Sequence, residues 1–479
     1  MSTKPRFLAV TSLTGLLLAG PVLAAGDLDS SFGGGSGYVV EPFGIGDVPN
    51  DQMFDVIVDS AGRLVAAGMR TDGPSSGGDR DFAVMRLLPD GSLDPAFGSG
   101  GKQTVVFDLG GFQAGAESVF QAEDGRYVVC GPADTIESVG GVGAIAIARL
   151  LENGALDTSF DFDGRRTLQV PHPAGGDLQV GGYCAPAAGG GIVVAGGVYD
   201  SADVAAATQV SVVVARLLPD GSLDTAFNGS GYTVFDPAGG TNIAIATDVI
   251  VQPDGTVVVA GAADVGTAPT RNYDMFAARL LSNGSLDSTF GSAGVRLVGF
   301  DQGGANGDIA AALAPVPGGG LILVGSANTA SNGTDVALAR LHGNGDLVPE
   351  FGTGGRALIG FDGGGDLGDQ ASAVALDDAG NFILAGEVAV AAANRDLAVL
   401  RVTDAGALDA GFASGGWHVF GIDTAPGQNT EFAQAVVLDG SGRAVVAGAA
   451  HMGTAASFDG LVLRLTSDLV FSDGFEALP

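Results

Sequence analysis

Two sets of charged residues in this 479-residue chain have the types and spacing to do chemistry. The first is an arginine that recurs as Arg86, Arg149, Arg216, Arg279, Arg340, Arg401 and Arg464. A carboxylate follows eight residues later at Asp94, Asp157, Asp224, Asp287 and Asp409. A guanidinium fork matches a carboxylate bidentately, so the spacing predicts an ion pair pinning each turn to its strand. A catalytic group is rarely needed seven times, and the set reads as structural. The second set is Asp301 and Asp308, with Asp362, Asp366 and Asp369, in loops rich in Gly and Asn. Oxygen ligands on flexible loops suit Ca²⁺, and the same residue types also make turns. No loop has EF-hand spacing, and Asp161-Phe162-Asp163-Gly164 occurs once without further ligands. The expectation is a protein without a cofactor, with Ca²⁺ at those five aspartates as the alternative.

Enzyme signatures are thin. His172, His342, His418 and His451 are scattered, and none begins a His-Glu-x-x-His helix. Gly73-Pro74-Ser75-Ser76-Gly77 fits Gly-x-Ser-x-Gly but lies in a polar loop rather than a strand-turn-helix elbow. Gly101-Lys102 is followed by Gln103, so there is no phosphate loop. Asn228 and Asn283 begin glycosylation-like triplets within a recurring turn, where turn chemistry explains them. No catalytic residue is assigned.

The elements that position these residues come from a repeat. The turn (Asp/Asn)-Gly-x-Leu-Asp-x-x-Phe ends at Phe32, Phe97, Phe160, Phe227, Phe290, Phe351 and Phe412, 61 to 67 residues apart. The first copy lacks the leading Arg, and the sixth has Asp346-Leu347-Val348 in place of Leu-Asp. Within residues 221–283 four short β-rich runs are bounded by Gly, Pro, Asp or Asn: 232–235, 246–251, 256–261 and 275–281. Seven such units predict an all-β chain, a seven-bladed β-propeller of four-stranded antiparallel repeats of about 61–67 residues. Connections in a meander alternate ends of the sheet. The two near-invariant turns therefore share one face and the variable loops the other, and loops on a rigid scaffold are where binding usually resides. Tyr38–Phe43 has no blade before it and 460–465 has no strand after it, so pairing the two would hide both edges.

The repeat resembles the delta-60 repeat family of bacterial exported proteins. The residues that carry the match are Asp-Gly-(x)-Val-Val-Ala-Gly, Ala-Arg-Leu and Asp-Gly-Ser-Leu-Asp-x-x-Phe, across nearly the whole mature chain. The resemblance implies a propeller-like fold and carries no established activity.

Residues 1–24 read as a signal peptide: Lys4 and Arg6, an apolar stretch, then Val22-Leu23-Ala24. The mature chain would begin at Ala25, with the propeller over 25–467 and a tail over 468–479. No other apolar run is long enough to span a bilayer. Export to the periplasm or the exterior follows from the signal peptide. Acidic residues number 54 against 21 basic, for a net charge of −33, which argues against nucleic acid and anionic lipid as partners. Cys130 and Cys184 are the only cysteines. Two buried thiols are the favoured reading and a bridge between neighbouring repeats the alternative. The function expected is binding, without catalysis, of a protein, glycan or surface polymer through the variable loops. A calcium-dependent hydrolase or lyase using loop carboxylates, or a structural envelope component, is the alternative.

Overall fold

The computed structural model describes residues 25–467, apart from 44–49, 73–78, 108, 110–112, 135–141, 241, 267–270, 303–306, 330–332, 361–367, 392–393, 414, 423–429 and 453–456. The signal peptide and the tail therefore lie outside the described residues, as does the Gly73–Gly77 motif. The described chain contains 28 β-strands and three single-turn 3₁₀ segments. Among the described residues no helix is long and apolar enough to cross a membrane.

The strands form five antiparallel sheets of four and one of eight. The eight-stranded sheet is two groups of four, joined only where Gln179 pairs with Gly143 and Val180 with Val142. A representative group runs Ala244–Val251, Val257–Asp264, Tyr273–Leu280 and Val295–Val298, each strand pairing with the next. Its two middle strands are nearly continuous apolar runs because both of their faces are covered by neighbouring groups.

Packing between groups is continuous around the molecule. Phe276 and Leu280 meet Val212 and Val214 of the preceding group. Met53 and Val56 of the first group meet Ala435, Val445 and Val462 of the last. The last sheet takes its outer strand from the start of the chain: Tyr38–Glu41 pairs with Phe458–Arg464, in register from Tyr38 opposite Leu463 to Glu41 opposite Gly460.

A second link runs through the turns. The amide after each repeat phenylalanine donates to the next group's turn carbonyl: Gly98 to Asn153, Asn228 to Asn283, Gly352 to Ala405, at 2.7 to 2.8 Å. The last such amide, Ala413, finds Ala25 at 3.0 Å, so the first residues of the described chain complete the series. The recurring turn glycine is needed here. Gly284 sits at φ +87, and a Cβ would fall 2.8 Å from the Phe227 ring.

The glycine closing each Val-Val-Ala-Gly run has a different cause. Six of the seven innermost strands shift register by one residue, as at Met53/Asp55 and Ala246/Asp248, which marks a bulge. The bulge presses a carbonyl onto the neighbouring strand, where a Cβ at Gly261 would lie 2.0 Å from the Ile245 oxygen. Gly68, Gly325, Gly386 and Gly448 face the same clash at 1.9 to 2.0 Å.

Cys130 and Cys184 form a disulfide, which corrects the favoured reading of two free thiols. The half-cystines lie on adjacent groups, packed in one cluster with Phe160 and Ile145. Apolar surroundings suited both states, and only the register of Cys184 on its inner strand brings the sulfurs together.

Two outcomes follow. Gly261→Ala should lower stability by about 2–4 kcal/mol in denaturant unfolding, because the clash is with backbone. Deleting residues 26–43 from the mature chain should remove most of its stability and promote oligomerisation, read by melting and light scattering. An unchanged melt would show that Tyr38–Glu41 does not hold the last sheet.

Candidate functional site: an acid-lined central channel

The repeated arginines lie where each sheet meets the next. Arg86 Nε donates to Asp94 Oδ2 at 2.8 Å, and Arg149, Arg216 and Arg279 do the same to Asp157, Asp224 and Asp287 at 2.7 to 2.8 Å. Arg401 and Asp409 approach to 2.7 Å. The carboxylate's second oxygen turns to backbone, as where Asp157 Oδ1 accepts from the Ser159 amide at 3.1 Å. The fork is therefore not spent bidentately on the carboxylate. Its Nη1 reaches the next group instead: Arg86 donates to the Glu152 carbonyl, and Arg216 to the Ser282 carbonyl at 2.5 Å. Each of six guanidinium groups also lies 4.7 to 5.1 Å from the centroid of a repeat phenylalanine. Hydrogen bonds from Thr289, then the Arg279 guanidinium, hold the Asp287 carboxyl below its ordinary value despite burial.

Arg464 has Ser472 rather than an aspartate eight residues on and pairs with Asp29 at 2.8 Å, over Phe32. The copy without an arginine and the arginine without a copy are one unit. Arg340, facing Val348, keeps the bond to the next group's Asp404 carbonyl at 2.6 Å.

The loop aspartates are spread differently. Asp308 is fully buried and accepts the Phe300 amide on Oδ2 at 2.5 Å. Asp301 is exposed in the turn leading to it, and Asp369 is buried at the corresponding point one group later. Asp362 and Asp366 lie outside the described residues. Asp274 faces Asp301 and Asp308, and burial, then those two charges, push its carboxyl up to about 6. Among the described residues no three His, Cys, Asp or Glu side chains are grouped to hold a metal ion. In the Asp161–Gly164 turn, Asp161 and Asp163 are engaged by Arg166 and Arg165.

A central concavity lies elsewhere. A cavity of about 490 Å³ is lined by residues from all seven innermost strands, among them Phe54, Ser118, Tyr183, Asp248, Leu313, Val374 and Val436, and so lies on the axis of the molecule. One register position explains its chemistry. Asp55, Ser118, Tyr183, Asp248, Ala312, Ala373 and Ala435 each sit opposite the residue before the Val-Val-Ala-Gly glycine. Four polar side chains on consecutive strands face three alanines, so the channel has a polar arc and an apolar arc.

Within the polar arc the side chains link strand to strand. Asp55 Oδ2 accepts the Val119 amide at 2.7 Å and Asp248 Oδ2 the Leu313 amide at 2.8 Å, in each case from the next group. Ser118 Oγ accepts the Cys184 amide at 2.8 Å. The other oxygen of each aspartate accepts from the following residue of its own strand, Val56 or Val249, at 2.7 Å. Glu117 is held by the Tyr183 hydroxyl and the Gly182 amide, while its Oε2 is buried with no hydrogen-bond partner. Burial dominates all three acids and pushes each up to about 7, with the Asp248 charge adding to Asp55. Three carboxyl groups that change charge near neutrality in one cavity form a site able to recognise a ligand or exchange protons with it.

The sequence offered one signal for this site: Asp-Val-Ile-Val occurs at both 55–58 and 248–251, an acid inside an apolar strand. Glu117 and Tyr183 had none, because their facing depends on strand register.

These sheets, packed around an axial channel, define a propeller. Four stretches, 62–97, 122–160, 190–227 and 252–290, match the family described as "Domain of unknown function (DUF5122) beta-propeller". Each matched stretch ends at a repeat phenylalanine. No curated protein matches the chain. Among solved structures, it is similar to an extracellular domain assigned to a one component system of B. thetaiotaomicron, at 10% identity and TM-score 0.39, covering 86% of this chain and 38% of that one. An α-L-arabinofuranosidase of Fusarium graminearum aligns at 10% identity and TM-score 0.42, covering 72% and 91%. The NanB sialidase of Streptococcus pneumoniae aligns at 10% identity and TM-score 0.38, covering 87% and 68%.

The raised carboxyls fix the sign of a pH effect. Between about pH 4 and 7 the folded state keeps protons that the unfolded chain has released, so the stability from these groups is present at low pH and lost as pH rises through 7. Asp248→Asn loses one of the two amide bonds at every pH, because its Nδ2 cannot accept, and avoids the charge; its deficit in melting midpoint against the wild type should therefore shrink by about 3 °C or more between pH 5 and pH 8. A deficit that grows over that range would show that the ionised carboxylate is needed for folding.

Proposed function

We propose that the chain is an exported seven-bladed propeller that binds a ligand in its central channel without transforming it. The variable loops around one mouth would select what enters. The observation that carries this reading is a contrast within the repeat. Arg, Phe and Gly of the framework recur in nearly every unit, as packing residues should, whereas Asp55, Ser118, Tyr183 and Asp248 fill one register position on four strands that alanine fills on the other three. A framework has no use for that asymmetry, and recognition does. Seven four-strand groups and seven apolar interfaces, one of them joining last to first, support a count of seven blades. Export rests on residues 1–24 and implies a periplasmic or extracellular setting. The ligand would be a small molecule or the end of a glycan, surface polymer or protein chain.

One observation favours a hydrolase or lyase as the second reading: carboxyls near 7 are suited to general acid–base work. Against it, both oxygens of Asp55 and of Asp248 already accept backbone amides, which leaves only Glu117 with an oxygen to offer.

A panel of sugars, amines and amino acids, screened by thermal shift on the mature protein, tests the proposal. Ligands should raise the midpoint, and Ala312→Phe, which fills the channel from its apolar side, should abolish the rise. A rise that survives the plug would place binding elsewhere. Turnover of any hit that Glu117→Gln removes would establish the second reading instead.

A further inference from the structure

The channel assignment leaves the chemical class of the ligand open, and the following rests on that assignment. We propose that the channel takes an organic cation: an ammonium group received by Glu117 between Asp55 and Asp248, with an aliphatic body laid along the alanine arc.

The charges lining the cavity lead to this class. The cavity wall holds Asp55, Glu117 and Asp248 and contains no Lys, Arg or His. Arg80 lines a separate 160 Å³ pocket that shares Phe54 and Glu117 with the cavity, and it donates to Gln113 Oε1 at 3.1 Å. Glu117 lines both pockets, and its Oε2 is the one channel carboxyl oxygen that is buried and without a partner. A buried carboxyl without a counter-charge stays protonated or carries a desolvation cost, and a cation delivered beside it removes that cost. The structure provides the anionic half of an ion pair and lacks the other half.

The remaining wall is uncharged. Ala311, Ala312 and Leu313 on one strand and Ala373 and Val374 on the next supply hydrocarbon, with Ser326, Gln370, Ser372 and Gln434 beside them, and Ile309 at the edge is 43% exposed. An anionic ligand would meet three acids, and a neutral one would leave Glu117 Oε2 without a charged partner. An alkylammonium fills both arcs at once. The volume suits a body of several carbons, since ligand pockets commonly run from about 300 to 1,000 Å³.

Binding a cation to protonated carboxyls must release protons, so affinity should rise with pH up to about 7 and then level off. Tyr183 bonds to Glu117 from the next innermost strand, Asp55 and Asp248 line the same cavity, and Arg80 shares the second pocket with it.

The test is calorimetric titration of the mature protein with n-hexylammonium, with n-hexanol and hexanoate of the same length, at pH 5.5 and pH 8. The expected result is binding of the ammonium alone, about tenfold tighter at pH 8, with proton release at the lower pH. Glu117→Gln should weaken it tenfold or more at pH 8, while Asp301→Asn, which removes an equal charge from the surface, should leave it unchanged. Equal losses in both variants would mean attraction to the acidic surface and would overturn the proposal. Hexanol or hexanoate binding that Ala312→Phe abolishes would overturn the cation and keep the channel. No hexylammonium binding at either pH, beside panel hits that the plug abolishes, would do the same. Panel hits that survive the plug would remove both readings.

Discussion

Everything in this molecule depends on one contact, the repeat arginine lying over a phenylalanine ring at the seam between sheets. The guanidinium is stacked on the ring, its Nε is held by the aspartate eight residues on, and its Nη1 crosses to the next sheet's backbone. A stacked guanidinium is worth about 0.5–2 kcal/mol, more where desolvated. Its larger effect is geometric, because one planar group fixes the turn, the strand and the neighbouring sheet at once. Lysine could not do so, having neither the fork nor the plane. The unit with valine at the aspartate position shows the order of importance. Arg340 has lost its carboxylate and keeps the crossing bond.

The inner rim obeys a second constraint. Innermost strands converging on an axis must shed width, and the bulge does this by dropping one residue from the ladder. The displaced carbonyl then demands glycine on the strand beside it. The same displacement precedes the side chains at 55, 183 and 248, which line the channel. Framework and site are thus produced by a single irregularity, with the glycine recording its structural half and the acids exploiting the other.

What could be read from the sequence follows from how local each feature is. The turns, the short strands and the Arg-to-Asp spacing are contained within about ten residues and were legible. The use of the guanidinium was only half legible, because its second partner lies 64 to 70 residues away. Asp29 was missed as the partner of Arg464 because the pair spans 435 residues and closes through the chain ends. The disulfide and the channel acids depend on register, which composition does not reveal when a strand is apolar on both faces. The loop aspartates looked alike in sequence, yet Asp308 is buried against backbone while Asp301 stays exposed.

The two ends of the described residues meet within hydrogen-bonding distance, Gly26 to Thr466 at 3.1 Å, beside the turn that holds Ala413. Both therefore lie at the rim formed by the constant turns, with the variable loops at the opposite ends of the strands. Any body joined to either end would act as a pedestal. It would orient the open mouth of the channel away from its own attachment point, like a cup set on its base.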